Sequence, residues 1–304
     1  MQTKLKLAYT QHLEKQCCIF VLLLQAGKMD ALKNMLDIGG SNSFEGHQSV
    51  LLIEIADQFT AFAVLNSPDK TLIRYCCYSA EEGEEALFPL VFSRHPELHQ
   101  PFSQVAIAYY FDEAVMVPAR VHHSDMDNLY LKMTIAPKTD AVVHSDFLAD
   151  LGIYCLYYVP VSINNIVSRT FLTGKYWHMG SLHLKNRETG YPFTMLVDFK
   201  ANTFSVILLK DGQLQLCQLY HYSTPEDILY ILLKICRQFT ISQNDLKITL
   251  SGFLEKDSML YREIFKYFRH IEFADTIAML KCADDFSSLP GYYFDSMAKL
   301  AACV

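Results

Sequence analysis

Apolar and polar positions along the chain fall into one arrangement that occurs twice. Residues 51–65, LLIEIADQFTAFAVL, and 195–209, MLVDFKANTFSVILL, each join two apolar strands through a short polar turn, with one acidic residue near the end of the first strand. A third strand follows in both copies, at 71–78 and 213–220, and then a helical pattern. The repeated unit is a three-stranded meander plus a helix. Two such units predict two related halves.

Local signals fill in the remainder. Ser79 stands before Glu81, Glu82, Glu84 and Glu85, and acidic residues in a first turn favour the helix dipole, so a helix capped by Ser79 is expected over 80–93. Residues 104–110 read as a buried strand, and 116–120, with Pro118, as an edge or strand end. Residues 153–159 are a further strand. Pro160 and the helical pattern Val161, Ile163, Ile166, Val167 and Phe171 follow it as the expected crossover between halves. The second meander runs 193–199, 203–209 and 213–220, with Asp211-Gly212 as a hairpin turn. Thr224, Pro225 and Asp227 then start a helix to about Phe239 that is apolar around most of its circumference, which predicts burial between layers. A strand at 246–250, a helix at 257–268 and a strand at 271–273 complete the plan.

The expected division is an N-terminal extension at 1–42, a first half at 43–152, a second half at 153–275 and a C-terminal tail at 276–304. The apolar run 17–26, CCIFVLLLQA, is about half the roughly 20 residues needed to span a bilayer. Lys4, Lys6 and Lys15 before it give a signal-peptide-like start, but no clean small-x-small cleavage site follows. Residues before about Ser43 are expected to lie outside the repeated architecture, as an added helix or as sequence upstream of a start at Met29 or Met35.

Composition narrows the classes of function. A net charge of -7 without clustered Lys and Arg gives no electrostatic footprint for nucleic acid. The nine cysteines include the adjacent pairs Cys17-Cys18 and Cys76-Cys77 but no metal-ligand spacing, so reduced, buried thiols in a cytoplasmic protein are expected, with no metal. His122, His123, Asp125 and Asp127 lie on a polar stretch too local to converge on one ion, His178 and His183 read as ordinary exposed or half-buried histidines, and Thr173-Gly174-Lys175 lacks the upstream glycine of a phosphate loop. The aromatic tail at Tyr292, Tyr293 and Phe294 packs either on the body or on a partner.

The order meander, helix, strand, helix, strand resembles the ribonuclease-H-like half of the actin-like ATPase superfamily. The stretches LLKDGQLQLCQLYHYSTPEDILYILLKICRQF and ITLSGFLEKDSMLYREIFKYFRHIEF more closely resemble an uncharacterised bacterial family of that α/β fold, found mainly in Bacteroidetes. The chain is also distantly similar to the actin-like component of type IV pilus assembly. The resemblance covers about 49–273 and implies two duplicated halves, each a meander extended by parallel strands and flanked by helices, with nucleotide between them.

In the superfamily each first hairpin turn brings backbone N–H groups to the phosphates, through an acidic residue followed two positions later by glycine. Here Glu54 and Ala56 occupy those places in the first half, and Asp198 and Lys200 in the second. A glycine pair that contacts adenosine in the superfamily corresponds to Ser251-Gly252, where one glycine survives. The resemblance therefore implies a vestigial nucleotide cleft at these six residues and a non-catalytic scaffold or regulatory module with an unidentified protein partner. The alternatives are an active ATPase or small-molecule kinase using ATP and magnesium, with Asp198 orienting a metal-bound water and Lys200 neutralising phosphate, and a pilus-like component that meets the membrane only through its partners.

Overall fold

Each apolar repeat builds one sheet. The computed structural model describes residues 32–39, 44–80, 87–187, 190–276 and 280–304. Strand β1 (Lys33–Ile38) precedes the first meander, β2 (Ser49–Ile55), β3 (Phe59–Asn66) and β4 (Thr71–Ser79), followed by helix α1 (Leu87–Arg94) and strand β5 (Gln104–Tyr109). An inserted unit comprises β6 (Ala114–Pro118), α2 (Asp127–Thr134), β7 (Ala141–Leu148) and β8 (Ile153–Pro160). Helix α3 (Val161–Thr170) leads back to β9 (Lys175–His178), and α4 (Met179–Lys185) crosses to the second meander, β10 (Phe193–Phe199), β11 (Thr203–Lys210) and β12 (Gln213–His221). Then come α5 (Pro225–Gln238), β13 (Leu246–Gly252), α6 (Met259–Tyr267), β14 (His270–Phe273), β15 (Lys281–Cys282) and α7 (Asp295–Ala301).

Strand pairing shows the duplication directly. The first sheet runs β1-β4-β3-β2-β5-β9, with β15 also on β4, and the second runs β12-β11-β10-β13-β14. Numbering each meander 1-2-3, both sheets contain the order 3-2-1-4-5, in which the first and fourth strands are parallel. Strands β6-β8-β7 form a separate three-stranded sheet.

The division of the chain differs from the expected one at 152/153. Among the described strands β8 pairs only with β6 and β7, and β9 pairs parallel with β5, so 153–178 belongs to the first half and the second begins after α4. An apolar strand followed by a helix does not itself specify which sheet it joins, and here the crossover returns home. The N-terminal boundary also moves. Residues 33–38 are an edge strand on β4, and Met35, Leu36 and Ile38 pack on the core while Arg74 pairs with Asp37. The apolar run at 17–26 and the acidic turn at 81–85 lie outside the described residues.

Helix α5 starts as its sequence predicts, with a reciprocal capping box between Thr224 and Asp227. Its burial is one-sided: Ile228, Leu232, Ile235 and Cys236 face the second sheet, whereas Tyr230 is 65% exposed. It covers a sheet face and is not sandwiched between layers. Asp211 and Gly212 both adopt positive φ, as a type I′ hairpin requires.

The first sheet is covered on both faces. Leu51, Ile53, Phe62 and Cys76 pack with α1 and α3, while Leu52, Ala61, Ala63 and Cys77 pack with α4 and α7. The adjacent cysteines alternate across β4 and so enter different cores. Helix α7, from the expected tail, is buried along its whole length and packs against β2, β5 and β13, strands of both sheets.

Candidate functional site between the halves

The two acidic residues singled out by the repeat occupy equivalent positions. Glu54 is the penultimate residue of β2 and Asp198 of β10, each beside the parallel strand where sheet order reverses. Crevices at such reversals are where ligands bind in open α/β sheets. Here the ends of both central strands converge, and the Lys200 ammonium sits between them, 3.1 Å from Glu54 Oε2 and 3.4 Å from Asp198 Oδ2. All three side chains are buried.

Neighbouring side chains complete the polar cluster. The Tyr110 and Ser251 hydroxyls each donate to Asp198 at 2.8 Å, and Lys200 also donates to Ser296 Oγ of α7 at 3.0 Å. The ammonium lies 4.7 Å from the Tyr110 ring centroid and 5.4 Å from that of Phe59. Burial pushes the Glu54 carboxyl above its ordinary value, with Lys200 and Ser296 opposing and Asp198 reinforcing. Asp198 is also desolvated, yet Lys200, Ser251 and Tyr110 hold it below the usual carboxylate value. Lys200 loses hydration but is raised by the two carboxylates. The lysine therefore acts as the shared counter-ion of Glu54 and Asp198.

A second buried pair adjoins the first. Lys299 donates to Asp295 at 2.5 Å and to His183 Nδ1 at 2.8 Å. An ammonium can only donate, so Nδ1 is the acceptor and the neutral ring carries its proton on Nε2, 4.0 Å from Asp198 Oδ2. Burial, then the Lys299 charge, hold His183 well below its ordinary value. His183 and His178 are both buried, against the expectation of exposed or half-buried rings, because they end β9 and fill α4 at the junction of the halves. His178 Nε2 lies 2.9 Å from the Phe111 carbonyl and its Nδ1 accepts from Gly180 N–H.

The residues at the two glycine places behave alike. Ala56 N–H donates to Phe59 O and Lys200 N–H to Thr203 O, each at 2.8 Å, so both amides close their own hairpins. Asn202 of the second turn hydrogen-bonds Gln58 of the first, tying the turns together. The cavity beside them, lined by Ala56, Asp57, Tyr110 and Asn202 among others, measures about 20 Å³, room for about one water. A triphosphate with its metal does not fit between the turns in this arrangement. Gly252 serves the protein itself: at φ +80° it brings β13 so close to β10 that a Cβ would lie 2.0 Å from Phe199 O. The adjoining Phe253 stacks edge-on against Phe59 and Tyr293.

Glu54, Asp198, Lys200 and Ser251 thus converge, whereas Ala56 and Gly252 shape backbone. The sequence reading overlooked Tyr110, Asp295, Ser296 and Lys299 and set His183 aside as an ordinary histidine. Asp295 and Lys299 had a usable signal, an i,i+4 ion pair among apolar neighbours. The polar stretch at 122–127 does not converge: His122 bonds Asp127 at 2.7 Å and stacks on Tyr154, while His123 and Asp125 are exposed. Asp57, Asp112 and Glu113 present carboxylate oxygens within 4.8 Å of one another at the outer edge of the cleft, and Glu113 is paired with Lys138.

The duplicated 3-2-1-4-5 sheets facing one another across a cleft define an actin-like ATPase fold. The chain belongs to the family described as "Protein of unknown function (DUF3822)", which matches residues 41–271. It is similar to a Bacteroides thetaiotaomicron protein of actin-like ATPase fold and unknown function, with 15% identity over 85% of this chain and 97% of that one and a TM-score of 0.70. It is also similar to the PilM–PilN type IV pilus biogenesis complex, with 12% identity, 84% and 98% coverage and a TM-score of 0.55. No curated protein sequence matches the chain significantly. Among the described residues no helix is long and apolar enough to cross a membrane.

Proposed function

We propose that this protein is a nucleotide-independent member of the actin-like fold, a scaffold or regulatory module that binds another protein. The observation that carries this reading is Lys200, whose ammonium bridges the Glu54 and Asp198 carboxylates at the meeting point of the two phosphate-type turns. In the superfamily that space belongs to phosphate and metal, and here a side chain of the protein supplies the cation. The bond between Gln58 and Asn202 and the placement of α7 against both sheets support a cleft held together from within. A cytoplasmic location is part of this reading, supported by the burial of Cys76, Cys77, Cys155 and Cys236 as free thiols. The similarity to a pilus biogenesis protein solved together with its partner supports a protein as the ligand.

Thermal unfolding with and without millimolar magnesium-ATP, with ADP and a polyanion as controls, tests the reading. A ligand present at about 100 times its dissociation constant adds roughly 2.7 kcal/mol of stability, which raises the midpoint by several degrees. No nucleotide-specific shift is expected. A clear rise with magnesium-ATP overturns the proposal and makes Asp198 the first residue to replace in a turnover assay.

A further inference from the structure

A cavity of about 540 Å³ lies outside the ion-pair cluster, between the inserted unit and the second sheet. Consecutive residues Leu214 to Leu219 of β12 line it, as do Ala114, Val115 and Met116 of β6. Successive side chains of a strand point to opposite faces, so a wall that takes consecutive residues of β12 includes that strand's edge, and Ser205 and Ile207 of β11 add part of the sheet face. Among the described strands β12 pairs only with β11, and β6 only with β8, so each has one open edge. The floor is apolar and tightly built, since a Cβ on Gly180 would stand 2.7 Å from Cys217 Sγ and 3.1 Å from Met116 Cε.

One end of this groove is acidic. Asp112 lines it, and its carboxylate gathers with those of Asp57 and Glu113, while Lys138 pairs with Glu113 and also attracts Asp57. An occupant carrying a positive charge relieves the repulsion between Asp57 and Asp112. Open edges take up an extended chain through main-chain hydrogen bonds, with alternate side chains entering the groove. From these features we infer that the groove between β6 and β12 binds an extended segment of another protein, with apolar alternate residues and a Lys, Arg or free amine at the Asp112 end. This rests on the reading of the protein as a binding module and names the surface and partner chemistry it uses.

Selection of a random dodecapeptide display library on the full chain, followed by anisotropy titration of the enriched peptide labelled with fluorescein, tests the inference. Peptides of alternating apolar residues with a basic residue at one end are expected. Leu219→Arg fills the groove and weakens binding by about tenfold or more, a loss of about 1.4 kcal/mol. Asp112→Lys, an exposed change that leaves folding intact, weakens it several-fold, and replacing the peptide's basic residue by Glu restores it. No enriched class, binding indifferent to both variants, or a charge swap without rescue overturns the inference. Self-association of the wild type that Leu219→Arg abolishes would make a second copy the occupant and also overturn it. Magnesium-ATP melts on the same samples separate the two readings, because a nucleotide shift defeats the earlier one and groove-insensitive peptides defeat only this one.

Discussion

At the scale of single residues, Lys200 is the group whose removal changes most. A Lys200→Met variant leaves Glu54 and Asp198 buried without their cation, and breaking a buried pair from one side costs about 3–5 kcal/mol. The pH dependence gives this loss a signature. In the wild type the Asp198 pKa is depressed, so its contribution is present above the ordinary value of 3.8 and drains away as pH falls through the folded value. Without the lysine, desolvation raises both carboxylates, so their proton-linked stability is present at low pH and lost as pH rises. In the wild type only Glu54 of the two is raised, so denaturant titrations between pH 4 and 8 should show a steeper loss of stability with rising pH in the variant than in the wild type, and parallel slopes would refute the counter-ion role. Adding Glu54→Gln to the variant should recover about 1–3 kcal/mol as coupling between the pair. Asp146 offers an independent test. Burial holds its carboxyl up at about 6, against the ordinary 3.8, although it accepts the His178 amide at 2.7 Å and the Tyr157 hydroxyl at 3.2 Å. The fold binds this proton more tightly than the open chain, so the contribution is full below about pH 4 and gone above about 6. Asp146→Asn keeps an acceptor for the amide, removes that slope, and should raise stability at pH 7.5 by about 1–3 kcal/mol. Unchanged melts at pH 7.5 would count against it.

At the scale of elements, Gly252 separates two explanations of a retained glycine. Gly252→Ala must tolerate both φ +80° and a backbone oxygen 2.0 Å from the new Cβ, whereas Gly152→Ala at φ +61° meets nothing within 4 Å. The second change should cost about 1–2 kcal/mol for the left-handed backbone alone, and the first clearly more in the same urea titration. Equal costs would mean that the close approach of β13 to β10 is soft. This contrast also marks what was legible in the sequence. Both meanders, the 211–212 turn, the Thr224 cap and the penultimate positions of Glu54 and Asp198 follow from short apolar runs, turn chemistry and capping, all local. The return of α3 to β9 could not be read, because apolar strands carry no label for the sheet they join. The one-sided burial of α5 was hidden because apolar residues such as Tyr230 are tolerated on an exposed face. Gly252 was noticed for its resemblance to a ligand-contacting glycine, yet its neighbour in space is the Phe199 carbonyl, which only the packed sheet reveals.

At the scale of the whole molecule, the C-terminal segment decides whether the halves move as one body. Phe294 sits edge-on to Tyr75 of the first sheet at 5.0 Å, and Tyr292 packs at a tilt on Phe273 of the second at 4.3 Å, so aromatics two positions apart fasten opposite halves. Ser296 and Lys299, one turn further on, reach Lys200 and His183 in the cleft. Packing of one short segment thereby links the two halves. Phe294→Ala should cost about 3–5 kcal/mol as a buried aromatic truncation. Its distinguishing effect is where the protection is lost. Hydrogen exchange should quicken at the inner ends of β2, β5 and β13 and along α7, while β11 and α5 keep their protection, because the segment packs on the first three strands. An equal loss of protection in both sheets would show that the halves unfold as a single unit and that the segment is ordinary core. Unchanged exchange at the strand ends would show that the ion pairs alone hold the cleft closed.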